Sequence, residues 1–281
     1  SPNAPLEFIY VGDAQNDVWS MWSRMIRMSV LEAPRARFII HSGDLVNRSA
    51  KDEEWGEWFM APGWIFRSIP SVPTPGNHEY PGKSLNQNWR PQFTLPANGV
   101  AGLEETNYYL DIHGLRLISL NSLEKQEEQA EWLDQLLAGN KQPWVICTFH
   151  HPIFSTARGR DNKKLRELWQ PVFDKHSVDM VLTGHDHTYG RTNVITGVSG
   201  QSAKGGTVYV VSVSGPKMYK HDHAPVHARV GQDIQLYQVI RIDGERLTYQ
   251  SRTAKGDLYD AFELHKRKGR PNRMIVTHSG R

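Results

Sequence analysis

Short apolar runs in this chain end, again and again, in polar loops built from Asp, Asn and His, and this repeat most constrains its fold. Residues 6–11 run into Gly12-Asp13, 38–40 into His41-Ser42-Gly43-Asp44, and 69–75 into Gly76-Asn77-His78-Glu79. Residues 143–149 run into His150-His151 and 178–183 into Gly184-His185-Asp186-His187. A short apolar run reads as a buried strand, and Gly with polar residues reads as the loop at its carboxyl end. Where helical patterns separate such units the rhythm is βαβ, and in open α/β sheets those loops converge on one crevice.

The remaining pattern fits. Residues 18–30 carry Trp, Met and Ile at helical spacing with Asp17 as a candidate cap, and 52–66 read as partly helical. Residues 83–102 are polar and irregular. Residues 107–121 read as a hairpin turning at His113-Gly114, and 124–138 as an amphipathic helix stopped by Gly139. Residues 165–176 form a further helical stretch, 207–213 a Val-rich strand, and Asp243-Gly244 the turn of a second hairpin. The clustered Trp19, Trp22, Trp55, Trp58 and Trp64 are assigned to core and rim packing.

The expected organisation is one catalytic domain over residues 6–263. The Pro-rich residues 1–5 are the stub of a linker to a preceding domain, and 264–281 form a basic tail. That end carries Lys266, Arg267, Lys268, Arg270, Arg273 and Arg281 with no acid, but lacks the interleaved aromatics of a nucleic-acid surface, so no nucleic-acid partner is expected. With 281 residues and 38% hydrophobic side chains the chain can bury a core large enough to hold a rigid site. The single Cys147 excludes an intrachain disulfide and lies in an apolar run, as a buried inert thiol would. No stretch is long and apolar enough to span a membrane, and no membrane partner is expected.

Gathered in one crevice, these carboxylates, amide and imidazoles make a metal site. Its donors are oxygen and nitrogen without thiolate, which suits Zn, Mn or Fe better than Ca or Mg alone. They are too many for one ion with an open position, whereas two divalent ions sharing a carboxylate would use them all.

Together Gly12-Asp13, Gly43-Asp44-Leu45-Val46-Asn47, Gly76-Asn77-His78-Glu79, His150 and Gly184-His185-Asp186-His187 resemble the calcineurin-like metallophosphoesterases. Within them, Gly184-His185-Asp186-His187-Thr188-Tyr189, with no His two residues after Asp13, is most similar to the purple acid phosphatase branch. The resemblance implies a four-layer α/β/β/α sandwich of two mixed sheets with a dinuclear centre at the sheet edge. Asp44 would bridge the ions, Asp13 and His187 would hold the first, and Asn77, His150 and His185 the second. His78 would not ligate but would assist the leaving group, with Glu79 as its orienting partner. Arg48 and His151 would contact the substrate phosphate, and a metal-bridging hydroxide would attack it.

Two positions depart from the family pattern. Asn47 stands where purple acid phosphatases place the tyrosinate that gives their colour, and where many other members place Asp. Gln15 stands where many members have His. An amide oxygen from Asn47 or Gln15, or water, would fill the first ion's shell, which favours a divalent pair and a colourless protein. The function expected is hydrolysis of phosphate esters, monoesters before diesters. A catalytically weak metal-binding recognition module is the reading from another class. The resemblance to exported phosphatases points to a secreted or periplasmic location. His221, His223 and His227, with Asp222, form a further His-rich stretch, read as a loop beside the site's mouth.

Overall fold

The computed structural model describes residues 4–197, 205–222 and 225–279. Strand β1 (Leu6–Val11) is buried on both faces beyond Glu7, which is why the rest of its sequence is apolar rather than alternating. Phe8 and Tyr10 point into a core shared by two sheets, and Ile9 and Val11 into a core beneath helices. The first sheet continues parallel through β2 (Ile39–His41) and β3 (Ser71–Pro73).

In the second sheet β4 (Tyr108–Ile112) and β5 (Leu115–Ser119) form the expected hairpin. Strand β5 is followed in parallel by β6 (Trp144–Phe149) and β7 (Met180–Thr183). Strand β8 (Tyr189–Thr192) turns back antiparallel onto β9 (Val208–Val211), itself parallel to β7, and β10 (His227–Gly231) forms the edge. The chain then rejoins the first sheet as a meander of β11 (Leu236–Asp243), β12 (Arg246–Thr253), β13 (Leu258–His265) and β14 (Arg273–Ser279), with β11 against β1. The sheet orders are β14-β13-β12-β11-β1-β2-β3 and β10-β8-β9-β7-β6-β5-β4.

Helices α1 (Ser23–Glu32) and α2 (Asp52–Met60) cover the first sheet through Met25, Ile26, Trp55 and Trp58. Short helices α3 (Ile65–Ser68) and α4 (Trp89–Gln92) border that layer. Helices α5 (Gln126–Ala138) and α6 (Lys163–His176) cover the second sheet through Leu133, Leu137, Leu165, Trp169 and Phe173. The four layers are those the resemblance implied. Each Leu or Ile buried between them is worth about 1.5–3 kcal/mol, so the site rests on a rigid support.

Polar ties cross the inter-sheet core. Arg191 of β8 pairs with Asp260 of β13 at 2.6 Å, and the Tyr189 hydroxyl donates to Asp260 at 2.7 Å. The Tyr10 hydroxyl donates to the Thr183 carbonyl. The last of these joins the carboxyl end of β1 to that of β7, and the other two join β8 to β13.

Two expectations are corrected. Asp17 does not cap its helix: it is left-handed at φ 46° and leads into a π-type turn over Val18–Trp22 before α1 begins. Residues 264–279 are not a solvated tail. They complete β13 and form β14, because Lys266 and Asn272 (2.6 Å) both bond the buried carboxylate of Asp179. Cys147 is buried in the core beneath α5 and α6, and burial pushes its thiol up.

Candidate metal centre

The loops after β1, β2, β3, β6 and β7 leave parallel strands at their carboxyl ends, so Asp13, Asp44, Asn77, His78, His150, His151, His185 and His187 gather at one edge. Ligand atoms of Asp13, Asp44 and His187 all lie within 4.8 Å of one another, as do those of His150, His151 and His185. Asp44 links the groups, with Oδ2 3.1 Å from His150 Nε2. Asn77 Oδ1 and His185 Nδ1 also lie 3.1 Å from His150 Nε2. His187 Nε2 lies 3.6 Å from Asp13 Oδ1.

Backbone carbonyls set the imidazoles. A carbonyl only accepts, so His150 Nδ1–H donates to Ser42 O (2.8 Å), His187 Nδ1–H to Lys217 O (2.8 Å) and His78 Nδ1–H to Asn47 O (2.6 Å). Each Nε2 is thereby turned to the crevice, the arrangement that prepares His for a metal. His78 Nε2 stands 3.9 Å from Asp44 Oδ2. His151 takes Ser122 Oγ at Nδ1 (2.9 Å), and its ring centroid lies 4.1 Å from that of His185.

The backbone is bent to deliver these groups. Asp13 (φ 53°), Asp44 (φ 53°), His185 (φ 71°) and His187 (φ 48°) all occupy the left-handed region, which costs on the order of 1–3 kcal/mol for each residue other than glycine. The loops are also pressed together: a Cβ on Gly76 would strike the Asp44 carboxylate and backbone nitrogen, and one on Gly184 would strike Asp13.

The buried carboxylates and imidazoles of the centre shift one another's pKa values. Burial pushes Asp13 well above the carboxylate range, with Asp44 adding to the rise and His150 opposing it. For Asp44 burial is overcome by the charge and hydrogen bond of His150, and its carboxyl falls well below the ordinary range. Burial also opposes charge on His150, but Asp44 and Asp13 outweigh it and hold its pKa up at about 9. Burial lowers His187 to about 4 and, with His150, lowers His151 to about 3. His185 is depressed by burial and then by His150 and His151. Oxygen and nitrogen donors crowd round His150 Nε2, and two carboxylates are buried beside four imidazoles, of which burial holds His151, His185 and His187 in the neutral form. This donor set fits divalent cations with O/N preference.

Three assignments look different in place. Glu79 does not touch the His78 side chain. Its carboxylate accepts N–H bonds from Gly76 (2.7 Å), Asp44 (2.9 Å) and Leu45 (2.9 Å), tying two loops together, and His78 is oriented instead by the Asn47 carbonyl. Asn47 lines a cavity of about 220 Å³ with Asn16, Arg48 and Glu57. The amide that stands at His187 is that of the fully buried Gln15, whose Nε2 is 3.2 Å from His187 Nε2 and whose Oε1 has no partner among the described residues. Amide orientation is assigned from hydrogen bonding, so Gln15 can turn either atom to the site. Arg48 is two-thirds exposed and pairs with Glu54 at 2.5 Å.

Arg160, which the sequence reading missed, donates to the His185 carbonyl at 2.7 Å and pairs with Asp186 at 3.4 Å. Its only sequence signal was a basic residue in a polar loop. His221 and His227 lie at an isolated bridge and in β10, and His223 lies outside the described residues.

A calcineurin-like phosphoesterase family profile matches residues 8–189. The chain is 28% identical over 151 residues to purple acid phosphatase 15 of Arabidopsis thaliana, covering 50% of this chain and 28% of that protein. It is 27% identical over 194 residues to an uncharacterized protein of Mycobacterium tuberculosis, covering 59% and 37%. Among solved structures, a purple acid phosphatase from yellow lupin seeds superposes with TM-score 0.80 at 20% identity, over 95% of this chain and 55% of that one. PhoD superposes with TM-score 0.73 at 10% identity, over 100% and 73%. The chain spans well under half the length of these curated relatives.

Proposed function

The chain belongs to the calcineurin-like phosphoesterase family, and from that premise we propose that it hydrolyses phosphate esters, monoesters in preference to diesters, at a centre of two divalent ions. One observation carries this reading: Asp44 stands within reach of both ligand groups, as a carboxylate shared by two ions must. Asp13 and His187 would hold the first ion with Asp44, and Gln15 is the amide better placed to join them than Asn47. Asn77, His150 and His185 would hold the second, with His151 beside them. When bound, the ions would lower the pKa of water and offset charge on the phosphoryl oxygens.

The chain's own residues do the rest. The carbonyls of Ser42 and Lys217 hold His150 and His187 in the tautomer that leaves Nε2 free. The Asn47 carbonyl fixes the Nδ1 proton of His78, so a proton for the leaving-group oxygen would be carried at Nε2. Glu79 keeps the Asp44 and Asn77-His78 loops at fixed separation. The preference for monoesters rests on the likeness to purple acid phosphatases.

The test is reconstitution with Zn, Mn or Fe(II), followed by metal analysis and assays on an aryl phosphate and a bis-aryl phosphate. Two ions per chain with faster monoester turnover are expected. One ion or none, with no turnover on either ester, would favour the recognition module.

A further inference from the structure

The loop after β9 carries a charge that no carboxylate among the described residues pairs with. Around it Arg158 pairs with Asp222 (3.1 Å), Lys220 with Asp233 (2.9 Å) and Arg160 with Asp186 (3.4 Å). Lys217 is half-buried and has no carboxylate partner among the described residues. The undescribed stretches 1–3, 198–204, 223–224 and 280–281 contain no Asp or Glu side chain to supply one.

Lys217 is held in place. Its carbonyl accepts the His187 Nδ1 proton at 2.8 Å, and the Tyr219 N–H donates to the His187 carbonyl at 3.1 Å. Just before it, Ser214 N–H donates to Gly12 O at 2.9 Å, and a Cβ on Gly215 would strike the Asp13 carbonyl. The Tyr219 ring lies 4.8 Å from the His187 ring, with the Arg160 guanidinium 4.8 Å and the Lys217 ammonium 5.5 Å from its centroid. Two cations are thus gathered on one ring beside the His185–His187 loop.

A half-buried ammonium there is repelled by any cations the centre holds. Contact with the Tyr219 face at 5.5 Å is a weak attraction and does not neutralise the charge. What balances Lys217 is therefore to be sought in a ligand. We propose that Lys217 and Arg160, gathered on Tyr219, form a subsite for a second anionic group of the substrate. The centre then prefers phosphate esters that carry another negatively charged group beyond the one being cleaved. This rests on the phosphoesterase reading and adds a substrate class to it.

The matched probes are the monophosphate and the bisphosphate of propane-1,3-diol, assayed on metal-loaded protein at low and high salt. A charge-assisted contact is worth a factor of about ten, so the bisphosphate should show about tenfold higher kcat/KM, carried by KM and weakened by salt. Lys217→Met should bring that ratio down to the statistical factor of about two set by two equivalent phosphates, with an unchanged melting temperature confirming the fold. A wild-type ratio of about two, or a ratio that Lys217→Met leaves intact, would overturn the subsite and leave Lys217 as a side chain packed on Tyr219. If neither ester is turned over, the phosphoesterase reading fails by itself. Calorimetric binding of the same two compounds then still decides the subsite, tighter bisphosphate binding lost in Lys217→Met supporting it and equal binding overturning it.

Discussion

The Oδ2 atom of Asp44 lies 3.1 Å from Nε2 of His150, although the two residues follow strands of different sheets. A carboxylate so placed would serve both halves of a dinuclear centre at once. Asp44→Asn should therefore lower metal content from two ions per chain and reduce turnover more than 100-fold, beyond the roughly 10–100-fold typical of groups that only support a ligand. Metal analysis after dialysis checks this, and retention of both ions would count against a shared carboxylate.

Glu79 should act on architecture rather than on protons. Gln in its place keeps one acceptor oxygen and turns an NH₂ towards backbone N–H donors. Leaving one buried N–H unpaired costs about 1–3 kcal/mol. Burial, with Asp44, pushes the Glu79 pKa up to about 8, against the pull of the Gly76 N–H bond. Glu79→Gln should lower the denaturation midpoint and weaken metal binding by roughly 10–100-fold. Titration with a metal indicator reads the second effect.

His78→Ala should retain both ions yet slow turnover by about 10²-fold or more, as loss of a general acid does. The loss should be greater for alkyl phosphates than for nitrophenyl phosphate, whose leaving group needs no proton. Equal loss on both would point to a charge-stabilising role.

His41 offers a pH test outside the ligand set. It packs against Trp58 and Phe66 at 5.2 and 5.5 Å between ring centroids, and burial lowers its pKa to about 3. Below pH 6.5 the unfolded chain takes up a proton that the folded chain refuses, so stability falls as pH falls from there towards 3. The slope is about 1.4 kcal/mol per pH unit well inside that window, and it vanishes above the window. Denaturant melts of metal-free protein between pH 7 and 4.5 should show a shallower acid slope in His41→Leu than in wild type.

Removing residues 266–281 should destabilise the protein. It strips β14 from β13 and leaves the Asp179 carboxylate, 2% exposed, without Lys266 and Asn272. Breaking a buried ion pair costs about 3–5 kcal/mol. A melting temperature unchanged by the truncation would show that β14 adds nothing to the sheet.

The layered α/β fold was legible because strands buried on both faces are unbroken apolar runs and their loops are short and polar. Strands β8, β10, β13 and β14 were not read. Each mixes charged or polar residues into its run, as in Tyr189-Gly190-Arg191-Thr192, where the buried arginine is satisfied by a distant Asp260. No local pattern discloses such a partner. The same holds at the centre: residue types and spacing gathered the donors but could not place Arg48 on Glu54, Asn47's carbonyl on His78, or Gln15 beside His187. These are contacts between residues that the chain separates by six to 172 positions.

The left-handed backbone at Asp13, Asp44, His185 and His187 leaves a mark that would outlast activity. A side chain that strains its own backbone persists only while something selects for it, and glycine would relax each position. In a lineage that gave up metal binding and kept the sandwich for recognition, drift should reach these four positions first, towards Gly or Asn, while the cores on either side stayed unchanged. Such a pattern would distinguish a retired enzyme from a working one before any assay was run.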